Sequence, residues 1–144
     1  MTSVTLAQAS IIVDETLKKG RATSSAPLTV AVLDAGGHLV AFKREDNSGI
    51  LRYEIANAKA YGSLGMGFGS REFVERTKIN PTFVGALTML SQGRLAPVPG
   101  GVLIKTQQGA VIGAVGVSGD TSDRDEECAL AGIAAAGLVA QTGK

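Results

Sequence analysis

The chain reads as an α+β protein in which helices pack on an antiparallel sheet, and three observations predict it. Candidate elements follow the order helix, hairpin, helix, hairpin, helix; both hairpins turn on glycine-containing loops; and no strand is continued into the helix and parallel return of a βαβ unit. The 144 residues fit one domain spanning 1–144, since dividing them would leave each half short of buried surface.

Thr5 to Lys19 carries apolar residues at Leu6, Ala9, Ile12, Val13 and Leu17. That spacing predicts a helix, with Gly20 at its C-terminus. Leu28 to Leu33 is rich in β-branched residues and ends in Asp34-Ala35-Gly36-Gly37, after which His38 to Lys43 resumes the strand pattern. The first hairpin follows, because glycines admit the positive φ of such turns. The polar break Lys43 to Gly49 offers Asn47 or Ser48 as the cap of a helix from about Ile50 through Tyr61, with Leu51, Ile55 and Ala58 as its apolar stripe.

Gly62, Gly65, Gly67 and Gly69 then weaken helix propensity, so helicity there is undecided. Ser70 to Phe73 is able to open a short helix, Pro81 is expected to end or redirect it, and Phe83 to Leu90 suits helix and strand equally. Gly100-Gly101 precedes a strand from Val102 to Lys105, Gln107-Gln108-Gly109 turns the chain, and Ala110 to Val117 pairs back as the second hairpin. Thr121 or Ser122 caps a last helix from about Asp123 to Val139, whose acidic first turn complements the positive helix end.

Composition excludes several classes. Lys and Arg total 14 against 13 Asp and Glu, so there is no electrostatic footprint for nucleic acid. No run reaches the ~18 apolar residues of a membrane span, and Met1 to Val13 lacks the pattern of a secretory leader, which points to a cytoplasmic protein. One Cys and one His provide neither an internal disulfide nor a closed zinc sphere. With 4% aromatic residues and 19 glycines, the core must be aliphatic and closely packed.

Val32 to Asp46, Ala58-Lys59-Ala60, Pro99-Gly100-Gly101, Gly109, Gly113, Gly116-Val117-Ser118-Gly119 and Asp125-Glu126 occur in this order along the chain. Together they resemble the GlcG/HbpS/PduO C-terminal family. The resemblance implies a profilin-like α-β-α fold, assembly into homo-oligomers and, in several members, a role linked to haem or a corrinoid.

The candidate site residues divide by chemistry. His38 is the sole imidazole and hence the candidate ligand to a haem iron or cobalt centre; the plain alternative is a solvent-facing strand residue. Met66, Met89, Tyr53 and Tyr61 are further axial candidates, with packing as their simpler use. Arg44, Asp46 and Lys59 suit the holding of anionic groups, against a salt bridge to Glu45 or Asp46 for Arg44 and a snorkelling surface position for Lys59. Gly100, Gly101, Ser118 and Gly119 form paired glycine loops, the second leading into a helix amino end that is able to hold an anion or simply to be capped. For catalysis, His38, Asp125 and Glu126 are the proton-transfer candidates, while Cys128 reads as a buried small hydrophobe.

Three functions are compatible with these residues. The first is an oligomeric binding protein for a tetrapyrrole, haem or corrinoid, or a related small ligand. A second is a small catabolic enzyme acting on an oxo- or hydroxy-acid or an aromatic-degradation intermediate. The third is an assembly protein whose glycine-rich faces serve subunit contacts.

Overall fold

The computed structural model describes residues 3–144. Met1 and Thr2, which open the segment expected to carry no leader pattern, lie outside the described residues. The described residues form helices α1 (Leu6–Ala22), α2 (Arg52–Met66), α3 (Glu72–Ile79), α4 (Pro81–Leu90) and α5 (Ser122–Ala135). Five strands accompany them: β1 (Thr29–Asp34), β2 (Leu39–Arg44), β3 (Gly101–Lys105), β4 (Val111–Ser118) and β5 (Val139–Gln141). All pairings are antiparallel, in the order β2-β1-β4-β3-β5. The predicted α+β class and its helix-covered antiparallel sheet are therefore observed.

Period-two alternation sorts the central strands between two faces. Val30, Val32, Val102, Ile104, Val115 and Val117 join Ile12, Val13, Ala129 and Ile133 in the main core under α1 and α5. Leu33, Leu103 and Ala114 point the other way and pack with Ala60 of α2. Helices thus cover both faces, and β1 is buried along nearly its whole length.

The α2 face of the sheet is built from very small residues. A Cβ added at Gly116 would lie 1.8 Å from the Ala56 carbonyl oxygen, and one at Gly101 would lie 2.1 Å from that of Lys59. Backbone-to-backbone approach of this kind anchors α2 on the sheet from Ala56 to Ala60, and Gly62 beyond it makes room for Leu95, while Gly65 faces open space. It also corrects the expected stripe. The buried face is Ala56, Ala58, Lys59, Ala60, Gly62 and Ser63, whereas Leu51 is 63% exposed.

Several boundaries differ from the sequence-based expectation. Helix α1 passes through Gly20, whose missing Cβ admits Leu28, and Leu6 at its first residue is exposed. Neither Asn47 nor Ser48 caps α2: the Ser48 hydroxyl shares a 2.7 Å hydrogen bond with Thr29 in the interior, and α2 begins without a side-chain cap. Helix α3 ends at Ile79, ahead of Pro81 as expected, and Pro81 then opens α4, because Asn80 Oδ1 accepts the Phe83 amide at 3.1 Å and proline suits the first helical position. Phe83 to Leu90 is consequently helical.

At the chain end, α5 stops at Ala135, Gly137 turns with φ 72°, and β5 adds an edge strand outside the sequence-based expectation. Helices α3 and α4 form an arm held by Phe68, Phe73, Val84 and Leu95, a cluster separate from the main core.

Candidate functional site

The predicted site residues fall into three places. Lys59, Gly100, Gly101, Ser118, Gly119, Asp125 and Glu126 come together where α2 crosses β3 and β4 and meets the start of α5. Lys59 is buried there, not snorkelling. Its Nζ donates to Val117 O at 2.8 Å and to Asp125 Oδ2 at 3.1 Å, and a Cβ at Gly100 would lie 2.7 Å from that nitrogen.

Asp125 Oδ1 accepts the Asp120 amide at 2.9 Å. Burial draws the Lys59 ammonium down from its ordinary value and pushes the Asp125 carboxyl up, and their mutual attraction opposes both shifts. Glu126 accepts from Arg71 Nε at 2.9 Å, and Arg71 also pairs with Asp123. Thr121 Oγ1 accepts the Arg124 amide at 3.3 Å, which caps α5. Ser118 Oγ accepts from Arg52 at 3.1 Å. The carboxylates suited to proton transfer are thus committed to cations; Gly100 and Gly101 close on Lys59, whereas Gly119 lies against Pro27 and Leu28.

Arg44 and Asp46 lie elsewhere, with Arg21, Pro27 and Glu45, around an open cleft of about 430 Å³. Arg44 donates to Ser48 O at 2.7 Å, and it is Glu45 that pairs with Arg21, at 2.9 Å. Arg44 therefore makes none of the local salt bridges weighed for it.

His38 occupies a third place, the β1–β2 turn. Its Nδ1 stands 3.1 Å from Asp34 Oδ1, which also accepts the Gly36 and His38 amides at 2.9 Å. Burial raises the Asp34 carboxyl, but those amides and the nearby imidazole outweigh it and hold the group below its ordinary value. A carboxylate on Nδ1 fixes the ring and leaves Nε2 for a ligand, the usual arrangement of a metal-bound histidine. The side chain is 80% exposed.

Behind this turn runs a furrow in two lobes of about 170 and 190 Å³ that share Tyr61 and Gly65. Gly36, Gly37 and Leu64 line the first lobe, and Met66, Leu87 and Leu90 line the second. Gly37 holds φ 83°, and a Cβ there would lie 2.9 Å from the Tyr61 ring. Above Gly65 nothing stands within 4 Å. Arg94 lies over one wall residue, with its guanidinium carbon 4.0 Å from the Tyr61 ring centre.

Of the axial candidates, Tyr61 and Met66 line the furrow, Met89 projects from α4, and Tyr53 packs edge-on against Phe42. Arg94, Leu64 and the Asp34–His38 pair escape sequence reasoning, because Phe83 to Leu90 suits two conformations and no motif spans positions 38, 61 and 94. Cys128 is buried and its thiol is pushed up to about 11, first by burial and then by Asp125 and Glu127, so it is inert at neutral pH. Among the described residues no group of three or more His, Cys, Asp and Glu side chains is placed to hold a metal ion. No helix among them is long and apolar enough to cross a membrane.

A helix-covered antiparallel sheet with a glycine-lined furrow beside a carboxylate-oriented imidazole defines a small profilin-like α+β protein. Within that class the chain belongs to the HbpS-like family, described as haem degrading protein HbpS-like, whose model matches residues 4–134. A protein from the dhaT-dhaS intergenic region of Citrobacter freundii is 31% identical over 99 residues, covering 69% of this chain and 68% of that protein.

Among solved structures, protein ORFY of Klebsiella pneumoniae superposes with a TM-score of 0.86 at 26% identity, covering 95% of this chain and 92% of that one. HbpS superposes at 0.79 and 27% identity, covering 93% and 90%. PduOC, solved as a heme complex, superposes at 0.85 over 99% of both chains; at 21% identity that likeness concerns the fold.

Proposed function

We propose that this chain is a binding protein for a haem-type tetrapyrrole, held in the furrow beside His38, and that it works as a homo-oligomer. The observation that carries the proposal is the Asp34–His38 pair, whose imidazole stands beside Gly36 at the edge of a furrow lined by Gly36, Gly37, Tyr61, Leu64, Gly65 and Met66. Each part answers a need of the ligand. A planar apolar macrocycle wants an open floor without Cβ atoms, which Gly65 supplies, and apolar walls, which Leu64 and Leu87 supply. An iron centre wants an imidazole whose other nitrogen is engaged, which Asp34 provides.

Membership of a family described as haem degrading supports the ligand class, as does a solved relative in complex with heme. Bound haem would supply the redox-active iron, while this chain's residues hold and orient it. Asp125 and Glu126, the acids of an enzyme reading, are engaged by Lys59 and Arg71, and no group in the furrow replaces them as a proton-transfer pair. Exposed Ile79, Met89 and Leu90 on the α3–α4 arm provide apolar surface for subunit contacts.

The test is a hemin titration followed by absorbance on the wild-type chain and His38→Ala. A saturable, stoichiometric Soret shift that is lost in the variant is expected. A shift retained in full by the variant removes His38 as ligand, and no saturable shift in the wild type overturns the haem reading.

A further inference from the structure

We propose that Arg94 is the anchor for a ligand carboxylate at the furrow, and that it makes the site selective for tetrapyrroles bearing acid side chains over those whose periphery is amidated. The inference rests on the furrow being the tetrapyrrole site. It adds a residue and a ligand chemistry that the His38 geometry does not supply.

Arg94 is placed by backbone, not by chance side-chain contact. Helix α4 ends in a turn in which Gln92 takes φ 58° and Gly93 takes φ 81°. The Gly93 amide donates to Thr88 O at 2.8 Å, and the Arg94 amide donates to Ser91 O at 3.3 Å. The guanidinium then lies over the Tyr61 ring at 4.0 Å, and its Nε donates to Ser91 O at 2.8 Å. Only Nε is used in that bond, so the terminal nitrogens remain for an acceptor.

The charge is also uncompensated by the protein. Arg21, Arg71, Arg76 and Arg124 each pair with a carboxylate, and Arg94 has none within ion-pair distance among the described residues. Arg44 and Arg52 share that lack, but they donate to Ser48 O and Ser118 Oγ, away from the furrow. A half-buried guanidinium stacked on an aromatic ring and short of an anion is the arrangement that grips a carboxylate through two parallel bonds. Haem carries two propionates. A corrinoid periphery carries amides, which lack the charge that Arg94 would answer. The ring it rests on, Tyr61, lines both lobes, so the anchor and the macrocycle floor adjoin.

The test compares hemin, hemin dimethyl ester and dicyanocobinamide by absorbance titration on the wild-type chain, Arg94→Gln and Arg94→Lys. The wild type is expected to bind hemin about tenfold or more tighter than the ester. Arg94→Gln should bring hemin down to the ester's affinity, with Arg94→Lys between them because it keeps the charge but loses the planar fork. Equal wild-type affinity for hemin and ester overturns the proposal, as does a preference unchanged in Arg94→Gln or a tighter grip on cobinamide. Absence of hemin binding to the wild type overturns the furrow reading itself, and is distinguished because the comparison of variants then has no signal to compare. The ester comparison needs no variant, so a misfolded Arg94→Gln would leave it decisive.

Discussion

Lys59 Nζ and Asp125 Oδ2 meet 3.1 Å apart with side chains 2% and 1% exposed, which makes them the buried charges that join α2 to α5 through the sheet. Removing one partner strands the other. Asp125→Asn, which keeps an acceptor for the Asp120 amide, should destabilise the chain by about 3–5 kcal/mol at pH 7. Burial already lowers the Lys59 pKa, and loss of Asp125 lowers it further. A lysine with a depressed folded pKa binds fewer protons folded than unfolded, so its penalty shrinks as pH rises toward the ordinary lysine value. Urea midpoints of the variant should therefore recover relative to wild type between about pH 7 and 10. Parallel curves would mean that Lys59 is not the source of the cost.

Gly116→Ala tests the close approach of α2 to the sheet. Its methyl group would stand 1.8 Å from the Ala56 carbonyl oxygen, and both atoms belong to backbone-fixed elements. The helix must lift, at a cost of about 3 kcal/mol or more. Chemical denaturation of soluble variant protein measures it, and a change within about 0.5 kcal/mol would show that α2 is not held by this contact.

How far such relationships are legible in the sequence depends on their range. The β1–β2 hairpin is readable because Asp34, Gly36 and Gly37 form a local turn after a β-branched run, and the strand pattern resumes at His38. Helix α5 is readable from Thr121 and its acidic first turn. The α2 stripe is not, because apolar residues such as Leu51 are expected to face a core, whereas Gly101 and Gly116 leave room only for Ala56, Ala60 and the backbone of Lys59. Edge strand β5 has three residues and owes its existence to pairing with β3, information absent from its own segment. At the candidate site, His38 stands out as the lone imidazole, but Arg94 reaches Tyr61 only through the tertiary path of α4.

Acid should weaken the fold partly through Asp120. Its carboxylate accepts the Ala26 amide at 2.7 Å and the Thr121 amide at 2.8 Å, and these bonds hold its pKa below the ordinary carboxylate value against partial burial. A depressed folded pKa stabilises above the unfolded value and is lost as pH falls through the folded one. Asp120→Asn should thus be less stable than wild type at pH 6, by about 1 kcal/mol, and the gap should narrow as pH drops below about 4. Thermal melts across about pH 2 to 6 decide it; a constant gap would assign the effect to geometry alone.

The α3–α4 arm leads to a prediction about assembly. Met89 is 82% and Leu90 78% exposed, while the arm's own core is Phe68, Phe73, Val84 and Leu95. Met89→Glu with Ile79→Glu, the latter residue 84% exposed and outside the furrow, should lower the mass measured by light scattering toward that of one chain and leave the circular dichroism unchanged. An unaltered multimer would move the subunit contact to another face.

Gly65 separates the furrow from other places where a flat ligand could lie. It sits inside α2, and a Cβ added there would meet nothing within 4 Å, so Gly65→Ala gains helix propensity without a clash. The gain should be about 0.5–1 kcal/mol, or a rise of about 3 °C in Tm. Gly65→Phe would instead occupy the floor shared by both lobes, and hemin affinity should fall by more than about tenfold, equivalent to about 1.4 kcal/mol. Because the alanine variant keeps the fold and the phenylalanine fills only the furrow, the pair distinguishes loss of structure from loss of site. Full hemin binding by Gly65→Phe would move the ligand to another groove, such as the one of about 500 Å³ lined by Glu72, Arg76, Ile79 and Phe83. That groove offers no imidazole, so binding there would also predict that His38→Ala leaves the Soret shift intact.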